Sequence, residues 1–124
     1  DQDDVRIAVS GRSAYDLFLS RDLSHAELVR AQGVAGAVEL FKKDGLEALA
    51  GLRPALVAES GNLPGSRILD GGFTSIQQAI GVTKGNTAAA EFVAAFVEES
   101  KANGLIASLI DKHGVTGKLS VGSS

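Results

Sequence analysis

The chain has 124 residues, 44% of them hydrophobic and 22% charged, with a net charge of −3 at pH 7. That length and balance suit an ordinary folded domain with a real core and argue against disorder. The interspersed, slightly acidic charge argues against a nucleic-acid or anionic-membrane surface, and the lack of cysteine excludes disulfide and thiolate chemistry. No apolar run approaches the roughly 20 residues that span a bilayer. The opening Asp1-Gln2-Asp3-Asp4 is acidic, so no charged-then-apolar leader is expected at the start of this sequence.

Val5, Ile7 and Val9 alternate with other residues as a strand does, and Ser10-Gly11-Arg12 breaks the run. Ser13 then opens a helical pattern carried by Ala14, Leu17 and Phe18. A strand that turns sharply into a helix leaves the first helical N–H groups without internal partners, and the helix dipole favours an anion there. Ser10 and Ser13 add two hydroxyls and Arg12 a guanidinium, all suited to a carboxylate or phosphate. Taken alone, Ser13 is read first as an N-cap, since serine is among the preferred residues there.

Ser24 with Glu27 fits a capping box, yet Glu27-Leu28-Val29-Arg30 also reads as a short strand, the reading preferred here. Val34, Ala37, Val38 and Phe41 recur at the spacing of an amphipathic helix, which Lys42, Lys43 and Asp44-Gly45 close. Leu46 to Leu52 is expected to form a short helical turn stopped by Gly51, and Ala55-Leu56-Val57-Ala58 a strand buried on both faces, with Glu59 at its end. Gly61 to Gly65 is a loop. Ser66 to Leu69 and Ile76 to Val82 look extended, separated by Asp70-Gly71-Gly72. Strands alternating with helices in this way predict an α/β fold with a parallel or mixed sheet flanked by helices.

Asn86 or Thr87 is placed to cap a helix whose stripe is Ala89, Phe92, Val93, Phe96 and Val97, with Asn103-Gly104 ending it. Leu105, Ile106, Leu109 and Ile110 begin another, ended by His113-Gly114, and Gly122-Ser123-Ser124 is expected to fray. The division expected is an α/β ligand-binding domain over 1–80 and a return segment with C-terminal helices over 81–124.

No catalytic constellation assembles from these residues. His25 and His113 lack the spacing of metal ligands, and no nucleophile elbow, Walker loop or dinucleotide fingerprint is present. No metal, other cofactor or enzymatic activity is therefore expected. Glu59 is the one acidic candidate. At the carboxyl end of a parallel strand it would lie at the edge where open α/β sheets place ligands. A solvated loop glutamate is the commoner fate. If Glu59 and the Ser10–Ser13 turn share that edge, one cation-binding and one anion-binding group face one cleft, which suits a zwitterion.

The order and spacing of these stretches resemble the carboxyl-terminal half of a bacterial type II periplasmic solute-binding protein, of the polar-amino-acid family (family 3) that serves ABC importers. Val5–Val9 with Ser13-Ala14-Tyr15-Asp16 is similar to the strand and turn that open the family's second lobe. Residues 46–59 resemble its short helix and the strand ending in an acidic ligand residue. Ile80-Gly81-Val82-Thr83-Lys84-Gly85-Asn86 and the two helices after it resemble the family's closing strand and helices.

The resemblance implies that Ser13 holds a ligand carboxylate, that Glu59 pairs with its amino group, and that Ser10, Ala14 and Tyr15 line the same turn. Arg12 stands where the family usually has glycine, Pro54 where an aspartate is usual, and Glu59 in place of the commoner aspartate. It implies periplasmic location, a small polar or amino-acid-like ligand, and an ABC permease as partner of the intact protein, without nucleic acid. Because family members are about twice this length, it also implies that the chain is one lobe plus its tail. A homodimer is expected to cover the apolar stripe, with exchange of the C-terminal helices as one way to form it. A dehydratase-like enzyme, or the effector domain of a regulator, is the alternative on the same fold.

Overall fold

The computed structural model describes residues 1–123, so the fraying expected of Ser124 lies outside the described residues. Two compact units divide the chain, Asp1–Ile76 and Gln77 onwards. In chain order the elements are β1 (Arg6–Ser10), α1 (Ala14–Asp22), β2 (Glu27–Ala31), α2 (Gly33–Lys43), β3 (Ala48–Leu49), α3 (Arg53–Ser60), α4 (Thr87–Ala102) and α5 (Leu105–Lys112).

In the first unit the strands form a parallel sheet in the order β2-β1-β3. β1 is the central strand, and its alternation decides the core. Ala8 and Val9 are both fully buried and, as successive residues of a strand, face opposite sides of the sheet. Val9 packs with Tyr15 and Leu19 of α1 and with Ala50. Ala8 packs with Ala37 of α2 and with Leu46. One helix therefore covers each face, which gives three layers and explains why β1 reads as a nearly continuous apolar run. The strand over 27–31 wins over the capping-box reading because Leu28 and Val29 each find one of these cores.

Two expectations for residues 46–59 are overturned. Leu46 to Leu52 holds no helical turn; its middle is β3, aligned by Ile7↔Ala48 and Ala8↔Leu49 and by the Ala50 N–H donating to the Ala8 carbonyl at 2.9 Å. Ala55–Ala58 is not a strand but the middle of α3. Pro54 stands in the first turn of that helix, where its missing N–H costs nothing and its fixed φ suits helix entry. Alanine and leucine then propagate the helix better than they would a strand. Ser66–Leu69 and Ile76–Val82 pair with no strand among the described residues. Two or three apolar residues do not make a strand unless a neighbour supplies the ladder.

In the second unit α4 and α5 form as the spacing predicts. Asn86 caps α4 by accepting from the Ala89 N–H at 3.1 Å, and Gly104 turns the chain into α5 with φ of 79°. The apolar stripe is split, however: Phe92 is 72% and Phe96 49% exposed, while Val93 and Val97 line a small groove with Ile80 and Val82.

Candidate functional site

The β2-β1-β3 order places the reversal of strand order between β1 and β3, and the crevice beyond the carboxyl ends of strands at such a point is where open α/β sheets take ligands. Two connections meet there, β1 to α1 and β3 to α3. Because Ala8 pairs with Leu49, Arg12 and Arg53 each lie four residues beyond paired positions, at the same edge of the sheet.

The first connection is built tightly. The Ser10 carbonyl accepts from the Ser13 N–H at 3.3 Å, and the Gly11 N–H donates to the Ala31 carbonyl at 2.9 Å. Ser13 is the N-cap of α1; its hydroxyl accepts from the Asp16 N–H at 3.1 Å. Arg12 is the one non-glycine residue of positive φ, at 64°, among those described. That left-handed conformation costs about 1–2 kcal/mol in an L-residue. Its N–H donates to Asp16 Oδ2 at 2.8 Å, and the Arg12 side chain stands exposed without an ion pair. Asp16 is only 4% exposed. Arg30 of β2 neutralises it, Nε to Oδ1 at 2.9 Å, and Arg30 Nη2 donates to Ser20 Oγ at 2.7 Å. In the first turn of α1, the N–H groups of Ala14 and Tyr15 donate to nothing among the described residues. Ser10, Arg12, Ser13, Ala14 and Tyr15 thus occupy one turn, as the sequence suggests. Tyr15 also belongs to the core, at 6% exposure.

Glu59 is not part of that edge. It lies in the last turn of α3, six residues beyond Arg53 and so about 9 Å farther along the helix axis. Its nearest polar partner is Asn62, whose Nδ2 donates to Oε2 at 3.5 Å. The end of β3 instead carries Gly51, Leu52 and Arg53. Arg53 donates through Nη2 to the carbonyls of Leu69 (3.2 Å) and Gly71, tying the following loop to the helix start. An open groove of about 1440 Å³ runs there, lined by Tyr15, Gly51, Arg53, Leu56, Arg67 and Asp70 among others.

A separate strap fixes the other end of the strands. Glu47, just ahead of β3, takes the Arg6 backbone N–H at 2.8 Å and its guanidinium at 2.7 and 3.0 Å. Those bonds hold the Glu47 carboxyl down at about 2. No group of three or more possible metal ligands occurs among the described residues. No described helix is long and apolar enough to cross a membrane.

The sequence reading missed Asp16, Arg30 and Arg53. Ser13-x-x-Asp16 has the spacing of a capping box and could have pointed to Asp16. Arg53-Pro54 could have marked the start of α3. Nothing in the sequence pairs Arg30 with Asp16. Comparison with protein-family models, with curated proteins and with solved structures gives no match.

Proposed function

We propose that residues 1–76 are the second lobe of a periplasmic solute-binding receptor for an ABC importer, taking a small polar, amino-acid-like ligand at the crevice between β1 and β3. The observation that carries this reading is the turn after β1. At the point of strand reversal it offers two backbone N–H groups without internal acceptors, beside an unpaired guanidinium. Buried Asp16 is neutralised by Arg30, so the turn keeps the net positive character that a carboxylate needs. In the intact receptor the ligand would favour closure of two lobes over itself, a population shift set by its preference for the closed state. One lobe alone should bind weakly, because the other set of contacts and the exclusion of water are missing. No residue is assigned a catalytic role.

The test is an amide-resolved NMR titration of this chain with the twenty L-amino acids at millimolar concentration. Saturable shifts confined to Arg12–Tyr15 and the groove residues are expected for at least one of them. Absence of such shifts across the set, or shifts scattered over the surface, overturns the reading.

A further inference from the structure

The loop between α1 and β2 holds a carboxylate at the end of the sheet opposite the crevice. Ser24, His25 and Ala26 lie just ahead of β2, which begins at Glu27. Their three successive backbone N–H groups all donate to the side chain of Asp1: Ser24 to Oδ2 at 2.8 Å, His25 to Oδ1 at 3.0 Å and Ala26 to Oδ1 at 2.7 Å. His25 Nδ1 lies 3.3 Å from Oδ2, so an imidazole with its proton on that nitrogen adds a fourth donor. Consecutive N–H groups aimed at one point form a concave anion site, because their dipoles add where the charge sits. Asp3, Asp4, Asp22 and Glu27 are close by in the sequence, so directed donors and not net charge hold the anion here. The donors divide between two oxygens, a pattern that suits a carboxylate better than a spherical ion. The Asp1 side chain is 28% and that of His25 58% exposed, so the site opens to solvent. A second attachment follows it: the Glu27 N–H donates to the Val5 carbonyl at 2.9 Å, and the Val5 N–H to the Gln2 carbonyl at 3.3 Å. Residues 1–5 are therefore held at both ends.

We infer that the Ser24–Ala26 loop is a carboxylate-binding site separate from the crevice, and that Asp1 fills it as a latch on the segment ahead of β1. The ligand class is a carboxylate that offers both oxygens, as an acidic side chain of a partner protein does. Such a group, on displacing Asp1, gains the same donors and frees residues 1–4, while Val5 stays paired with Glu27. Asp1 competes as a tethered group at high effective concentration, so the latch opens only to a carboxylate that is abundant or itself held nearby. The inference does not depend on the receptor reading. Its donors sit at the amino end of β2, whereas the crevice lies beyond the carboxyl ends of β1 and β3 in the same parallel sheet.

The test follows the Ser24, His25 and Ala26 amides by NMR at fixed pH and ionic strength, with sodium acetate as the probe and sodium chloride as its control. Asp1→Ala should shift all three amides and speed their hydrogen exchange about tenfold, the loss of one charge-assisted hydrogen bond at each. Asp1→Asn keeps one acceptor oxygen without the charge and should fall between. Acetate added to Asp1→Ala should return the shifts towards those of wild type and saturate, and chloride should not. Wild type should need about tenfold more acetate, because Asp1 occupies the site. Unchanged β1 amide positions show that the variants stay folded. If Asp1→Ala leaves the three amides where they were, there is no latch and the inference is overturned. It is equally overturned if acetate moves nothing in Asp1→Ala, or if chloride moves the amides as acetate does, since the loop is then no carboxylate site. The same acetate response in wild type and Asp1→Ala would show that Asp1 does not fill the site, and would also overturn it.

Discussion

On the two sides of the crevice between β1 and β3 the chain makes the same move, strand to turn to helix, and these two versions are held by different means. At β1–α1 the corner is over-determined by side chains: Ser13 caps the helix, Asp16 reaches back to the Arg12 N–H, and Arg30 locks the carboxylate from β2. At β3–α3 no side chain caps the helix, since the N-cap position is Leu52, and the strand is two residues long. What holds that corner is backbone pairing to β1, proline at the helix entry and the Arg53 tie to the loop beyond. A corner fixed by polar side chains presents a defined set of donors. A corner fixed by backbone and loop is defined only as well as the loop.

The largest effect that separates the two should come from Asp16→Ala. It removes a buried carboxylate that accepts from two groups, and leaves the Arg12 N–H and the Arg30 guanidinium without their acceptor. The expected loss is about 2–3 kcal/mol, measured as a shift in the urea midpoint at unchanged slope. Local loss should show first at the Arg12 amide. If stability is unchanged, the first corner is no better determined than the second.

A smaller pair of changes exchanges the caps. Ser13→Ala deletes the N-cap hydroxyl of α1 and should cost about 1 kcal/mol. Leu52→Ser introduces one at α3, where Leu52 is exposed and already has the extended backbone of an N-cap residue. It should stabilise by about 0.5–1 kcal/mol. Equal and opposite shifts in denaturation midpoint would confirm that the corners differ mainly in capping. A loss at Leu52→Ser would mean that its side chain is needed by the groove.

The same contrast explains what was legible in the sequence. β1 spans five residues with the apolar run Ile7-Ala8-Val9 at its centre, and its helix starts at a serine followed three residues later by an aspartate, so both the strand and the corner could be read. β3 is too short to display a period of two, and its helix is made of Pro, Ala, Leu and Val, which read equally as a buried strand. Displacing the strand by that amount carried Glu59 to the wrong place, and with it half of the expected site. α4 and α5 were legible because a long stripe at helical spacing has no competing reading, yet the pattern gave no sign that Phe92 and Phe96 would stay exposed while Val93 and Val97 turned inward. Arg30 and Arg53 were out of reach for another reason. Their roles depend on partners distant in sequence, Asp16 in one case and two backbone carbonyls in the other, which no local pattern reveals.

The smallest effect should be found at the strap that keeps β3 in register. Glu47 has its carboxyl held at about 2, first by the hydrogen bonds from the Arg6 guanidinium and then by the Arg6 backbone N–H. A carboxyl that is more acidic in the folded chain than in the unfolded one stabilises the fold while it is ionised in both. Its contribution is therefore complete at neutral pH, begins to fall as the pH drops through the ordinary value of 4.5, and is gone near 2. Both partners are well exposed, so water screens the pair and the contribution is slight compared with Asp16. The comparison to make is the urea midpoint of wild type and Glu47→Gln at pH 7 and at pH 3. The two chains should differ more at pH 7 than at pH 3, and hydrogen exchange at Ala50, whose N–H closes the β1–β3 ladder, should accelerate in the variant. A difference that does not shrink on acidification would mean that Glu47 acts by packing rather than by charge. β3 would then depend on its two backbone pairs and its loop alone, the weaker of the two ways in which this sheet edge is built.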